Sequence, residues 1–179
     1  MDKVSDIKIA ADKERRNYML NKLHYEMIKL YNGDAKRIQH FCKVHSYAKL
    51  IAEMENVDEH TLFIIEVAAL THDIGIHLCE EKYGNCNGKL QEKEGPALAE
   101  KLLTKLGFMK DVAERVMYLI AHQHTYDDIN GIDYQILVEA DFLVNMYEDG
   151  LSKDAVEHAY NKIFKTDSGM KICAEMFGI

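Results

Sequence analysis

Two histidines and two aspartates in this sequence are placed where a shared ion would explain them. His40 lies on a helical stretch whose same face carries Val44 and Ala48, at i+4 and i+8. An imidazole on the face that Val44 and Ala48 bury must be hydrogen-bonded or metal-bound to be tolerated. His72 and Asp73 are adjacent, just past a segment from Leu62 to Leu70 that is apolar except for Glu66. Two consecutive polar groups there can point into an interior site without interrupting the apolar stripe. Asp141 stands within Ile-Leu-Val-Glu-Ala-Asp-Phe-Leu-Val. A carboxylate in so apolar a helix is costly unless it meets a cation. The competing reading, a set of separately satisfied core polar groups, needs a separate partner for each of the four. Together they form a ligand set for a divalent transition metal, suited to Mn, Fe, Co, Ni or Zn rather than Ca. Such an ion prefers six donors, which leaves positions for water and a substrate oxygen. It lowers the pKa of its bound water and polarises a phosphoryl oxygen.

The elements that must position these groups are helices. Met19, Leu23 and Met27 recur at a spacing of four, and Ile38, Phe41, Val44, Ala48 and Ile51 at three and four. Ala99, Leu102, Leu103 and Leu106 do the same, as do Val112, Val116, Leu119 and Ile120. No stretch sustains a two-residue alternation, so the pattern predicts an all-α protein. The apolar girth of 62–70 places that helix in the middle of a bundle, with Asp58 to cap its start and Gly75 to stop it. Gly33-Asp34 separates a first helix from a second. Residues 83–89 read as a polar surface loop and Asn130-Gly131 as a turn. The last helices are expected at about 132–147, 152–165 and 167–177. There is no internal repeat or linker, so residues 1–179 read as a single domain.

Composition bounds the function. The chain has 179 residues, 47% hydrophobic and 29% charged, which fits a globular protein and excludes a disordered one. No run approaches the length of apolar sequence a membrane span needs, so no membrane partner is expected. With 22 Lys+Arg against 30 Asp+Glu, the formal charge of −8 argues against broad nucleic-acid binding. It leaves room for a small phosphate-bearing ligand, because one metal can reverse the field in a cleft. The start, Met1-Asp2-Lys3-Val4, lacks an apolar signal core, and the expectation is a cytoplasmic protein. Cys42, Cys79, Cys86 and Cys173 fit neither a zinc pair nor a disulfide framework, and read as reduced thiols.

The order His40, His72-Asp73, Asp141 resembles the H…HD…D signature of the HD-domain superfamily of metal-dependent phosphohydrolases. Arg37-Ile-Gln-His40 with Val44 and Ala48 looks like the family's first helix. Ala68-Ala-Leu-Thr-His72-Asp73-Ile-Gly looks like its central helix, and Glu139-Ala-Asp141-Phe-Leu like its last ligand helix. The resemblance covers about residues 36–147. It implies a helical bundle with a metal in a central cleft, held by His40, His72, Asp73 and Asp141. The N-terminal and C-terminal helices would pack on that core, the latter with room for a homo-oligomer interface. Members with two metals carry further histidines, the first shortly before a Gly-Ala pair. The matching stretch here reads Gln91-Glu-Lys-Glu-Gly95-Pro, so one ion is expected rather than two, unless Glu92 or Glu94 replaces the missing imidazole. The Gly-Tyr-Pro signature of the cyclic-di-GMP phosphodiesterase branch is absent. So is the glutamate that follows the doublet by three in a nucleotidase branch; His77 stands four after Asp73.

The expected activity is therefore hydrolysis of a nucleotide or another small phosphate ester. Asp73 would accept a proton from the attacking water. His122 or His124 would protonate the leaving group; on a helix the two point about 200° apart, so only one can face the cleft. Arg37, one turn before His40, could touch a phosphate or pair with a carboxylate. His77, Lys82, Glu92 and Glu94 are further candidates around the substrate, with Lys89 and Lys93 flanking the same loop. Glu94 could instead favour a helix start beside Pro96. His45 is expected behind the ligands or on the surface, and His24, His60 and His158 in solvent. Two other classes remain: a binding or sensory module that keeps a metal or nucleotide without turnover, and a di-iron oxygenase on the same scaffold, for which the ligand count looks too low.

Overall fold

The computed structural model describes residues 3–179, with side chains from Ala10 onward. Met1 and Asp2, where the stretch without a signal core begins, lie outside the described residues. Among the described residues there are nine helices and no strand, in agreement with the all-α pattern. They are α1 (Lys3–Leu30), α2 (Ala35–Met54), α3 (Glu59–Thr71), α4 (Ile76–Tyr83) and α5 (Gly88–Leu106). α6 (Lys110–His122), α7 (Ile132–Glu148), α8 (Lys153–Ile163) and α9 (Asp167–Phe177) follow.

The centre of the bundle is α3, in which every residue from Phe63 to Thr71 is buried. A helix apolar on all sides cannot face water on any of them, so α1, α2, α6 and α7 pack around it. Asp58 caps its start, accepting from the backbone of His60 at 2.9 Å and Thr61 at 3.0 Å. The exception in its run, Glu66, is buried but paired with His45 Nε2 at 3.1 Å and Lys49 Nζ at 3.3 Å. His45 thus has a structural partner. His24 is not in solvent as expected: it is half-buried, 3.0 Å from Cys42 Sγ and edge-on to Phe41.

The middle of the chain differs from the sequence expectation. The loop is only residues 84–87, because Asn87 caps α5 by accepting from Leu90 N. Pro96 lies inside α5 rather than at a helix start. Gly75 does not stop α3, which ends at Thr71; it is the residue that precedes α4. A Cβ there would stand 3.1 Å from Gly95 N, and one on Gly95 would stand 2.6 Å from the Ile120 side chain. The two glycines let the turn that carries His72-Asp73 touch the backbone of α5, and let α5 lie against α6.

The C-terminal helices are tied to α7 by Glu139, which is fully buried. Its carboxylate pairs with no cationic side chain among the described residues. It accepts instead from Lys165 N at 2.6 Å, Thr166 N at 2.9 Å, Thr166 Oγ1 at 2.5 Å and Gln135 Nε2 at 2.7 Å. The negative charge thus sits at the N-terminus of α9, where the helix dipole favours it. Gly169 makes room: a Cβ there would stand 1.9 Å from Glu139 Oε2. Gly169→Ala is expected to destabilise the fold by about 1–3 kcal/mol through overpacking, read by denaturant unfolding. A loss under about 0.5 kcal/mol would show that this contact relaxes freely.

Candidate metal centre

Three helices bring the sequence-predicted ligands together. His40 comes from the second turn of α2, His72 and Asp73 from the end of α3, and Asp141 from the middle of α7. His40, His72 and Asp73 offer donor atoms that all lie within 4.8 Å of one another. His40 Nε2 is 3.3 Å from His72 Nε2, 3.5 Å from Asp73 Oδ2 and 3.2 Å from Asp141 Oδ1. His72 Nε2 is 3.4 Å from Asp73 Oδ2 and 3.6 Å from Asp141 Oδ1. Donors that share one ion at bonds of about 2.1 Å stand about 3.0–3.4 Å apart, close to these spacings.

The protons are arranged to match. His72 Nδ1 lies 2.9 Å from the Ala69 carbonyl, which can only accept, so the proton is on Nδ1 and the Nε2 lone pair faces the cluster. His40 Nδ1 lies 3.0 Å from Glu148 Oε2, and the same argument holds. Asp141 Oδ1 is buried and has no hydrogen-bond partner among the described residues. Lone pairs from two imidazoles and two carboxylates therefore converge, and the residues fit a divalent cation. Without one, burial pushes the imidazole pKa values down, but Asp141 beside His40, and Asp73 and Asp141 beside His72, outweigh it and raise both. Burial pushes the Asp73 and Asp141 carboxyls up, and the two imidazoles outweigh it, holding both below the usual range.

Residues that the sequence did not single out hold this arrangement. Tyr31, at the end of the first helical segment, donates to the Asp73 carbonyl at 2.5 Å. Gln123 is buried and donates to the His72 carbonyl at 2.9 Å and to Gln91 Oε1 at 3.3 Å. His124 Nε2 also meets Gln91 Oε1, at 3.3 Å. Tyr126 lies near the cluster: burial first, then the Asp141 and Glu92 carboxylates, push its hydroxyl up to about 12. Tyr31, Gln123 and Tyr126 do not stand out by periodicity, because each is defined by a group far along the chain.

The other candidates are distributed differently. His122 folds back on its own helix, with Nδ1 donating to the Tyr118 carbonyl at 2.7 Å and its ring stacked on Tyr118. Arg37 is occupied by Asp34 at 2.8 Å and Glu80 at 2.6 Å, a structural pairing rather than a free phosphate contact. His77 lies against Tyr31 and meets Asp34 Oδ2 at 3.3 Å. Glu94 pairs with Lys82 at 2.9 Å and accepts from Tyr83 at 2.5 Å. Glu92 accepts from His124 N at 3.0 Å and Thr125 Oγ1 at 3.1 Å, fixing the turn after α6. Among the described residues, no hydrogen bond or ion pair joins Glu92 or Glu94 to the four clustered residues.

Solved structures share this architecture. A predicted HD superfamily hydrolase from an uncultured Thermotogales bacterium is 26% identical, with a TM-score of 0.61 over 90% of this chain and 84% of that one. The chain thus shares the fold of that HD superfamily hydrolase. Bacillus subtilis YpgQ in its selenomethionine form is 20% identical, with a TM-score of 0.60 over 91% of this chain and 88% of that one. Its complex with ADP is 21% identical, with a TM-score of 0.59 over 91% and 89%. At these identities the YpgQ structures speak to the fold alone. No family model matches the chain, and no curated protein matches it in sequence. The HD doublet lies in the middle of a stretch, Glu59–Tyr83, that is long and apolar enough to cross a membrane but is mostly buried inside the protein.

The Tyr31 bond gives the centre a testable support. Tyr31→Phe removes one hydroxyl and leaves the Asp73 carbonyl without that donor. The variant is expected to lose about 0.5–1.5 kcal/mol of stability in denaturant titration. Unchanged stability would show that water replaces the hydroxyl at no cost.

Proposed function

We propose that this protein is an HD-domain, metal-dependent phosphohydrolase acting on a nucleotide or another small phosphate ester, with the whole chain as one domain. The observation that carries the reading is the convergence of His40 Nε2, His72 Nε2, Asp73 Oδ2 and Asp141 Oδ1, with the Nδ1 protons of both imidazoles turned away. These four residues would hold one divalent transition metal. When bound, the metal supplies an acidified water and a Lewis acid for the phosphoryl group. Asp73 Oδ2 faces the imidazoles, which leaves Oδ1 to take up the proton of the attacking water. His124 is the better placed of the two late histidines to donate to the leaving oxygen. Its backbone is held by Glu92 and its ring by Gln91, which shares Gln123 with the His72 carbonyl. A nucleotide is favoured as substrate because YpgQ, of the same fold, binds ADP.

A second reading, a metal-holding module without turnover, is supported by Gln91 standing in the stretch where two-metal relatives carry a histidine. One experiment separates the two. Protein loaded in turn with Mn, Fe, Co, Ni and Zn is assayed for phosphate release from nucleoside mono-, di- and triphosphates and simple phosphomonoesters, beside Asp73→Ala. The hydrolase reading predicts metal-dependent release that falls at least about 100-fold in the variant, since even outer partners of ligands cost 10–100-fold. Metal uptake with no release across the panel would favour the binding module.

A further inference from the structure

Glu148 is the last residue of α7, seven positions after Asp141, so the two carboxylates lie two turns apart on one face of the helix. Asp141 reaches the ligand cluster directly. Glu148 reaches back across 108 residues of sequence to His40 on α2, with Oε2 3.0 Å from Nδ1. Its other oxygen, Oε1, is held by Lys43 Nζ at 2.5 Å. Lys43 is on α2 three residues after His40, so the same two helices close the ring of contacts. The carboxylate is mostly buried, with 14% side-chain exposure, which shields the contact from competing water. His72 is supported otherwise: its Nδ1 donates to a neutral main-chain carbonyl within its own helix turn.

We propose that Glu148 is a positioning residue that sets the metal affinity of the centre through His40, with Lys43 holding it in place. This rests on the metal reading above. An anionic acceptor on Nδ1 fixes the imidazole tautomer, aims the ring and makes Nε2 a stronger donor than a carbonyl acceptor would. The two imidazoles are thus unequal ligands. His40 is the one whose donor strength depends on a residue from another helix.

The test is the affinity of metal-stripped protein for Co2+ and for Zn2+, each alone, measured by competition with a chromophoric chelator. Thermal unfolding of the stripped proteins is recorded beside it. Glu148→Gln keeps the shape and an acceptor but removes the charge, and is expected to weaken binding about 10-fold; Glu148→Ala should weaken it up to about 100-fold. Lys43→Met should have a smaller effect than either, because Glu148 can still accept from His40. Stripped Glu148→Gln should unfold within a few degrees of wild type. Wild-type affinity in both Glu148 variants would overturn the proposal. A fall in unfolding temperature of the stripped protein that tracks the loss of affinity would also overturn it, since Glu148 would then only tie α2 to α7. If wild type itself bound neither metal, the metal reading would fall, and this inference with it.

Discussion

The structure depends on one electrostatic conflict. Two imidazole nitrogens and two carboxylate oxygens point their lone pairs at one another, at separations of 3.2–3.6 Å among the nitrogen–oxygen pairs. Both imidazole protons are committed elsewhere, to Ala69 and Glu148. Buried groups of like polarity cannot share so small a volume without a positive charge between them. Either the imidazoles take up protons or a cation occupies the centre. A divalent ion resolves the conflict for all four donors at once, whereas protons leave the Asp141 oxygen without a properly directed bond.

The helices follow from that requirement. α3 must be buried because it is apolar on every side, and its end delivers His72 and Asp73 to the interior. α2 and α7 flank it and each contributes one residue to the cluster, His40 and Asp141. Glu148 and Lys43 then tie those two helices to each other beside the centre. On the far side, Gly75 and Gly95 bring the HD turn against α5, and Gln123 reaches from the end of α6 to the His72 carbonyl. Glu139, on the same helix as Asp141, uses its charge on the N-terminus of α9 instead of on an ion. The four carboxylates of α7 therefore have four different partners: the clustered residues for Asp141, an imidazole with a lysine for Glu148, backbone N–H groups for Glu139, and Arg115 for Asp133.

Much of this was legible in the sequence, for local reasons. Helical periodicity, the Asp58 cap and the girth of 62–70 are properties of short windows, so the all-α architecture and the central place of α3 follow from them. The four clustered residues were legible because polar groups in apolar helical runs are conspicuous. What escaped was set by distant contacts. Tyr31, Gln123 and Glu148 look like ordinary helix residues until the fold brings them to Asp73, His72 and His40. Gly95-Pro96 suggested a helix boundary because proline usually marks one. In the fold α5 runs through it, with Gly95 packed closely against Gly75 and Ile120. Arg37 could not be assigned from spacing alone, since Glu80 comes near it only in the folded chain.

The claim that His40, His72, Asp73 and Asp141 together hold a metal is tested most directly by anomalous X-ray diffraction. Crystals of the protein loaded with Mn, Co or Zn would be measured at the absorption edge of the metal. The account predicts one strong peak within bonding distance of His40 Nε2, His72 Nε2, Asp73 Oδ2 and Asp141 Oδ1. No peak among these atoms, or a peak bound by other residues while the four keep hydrogen bonds among themselves, would contradict it.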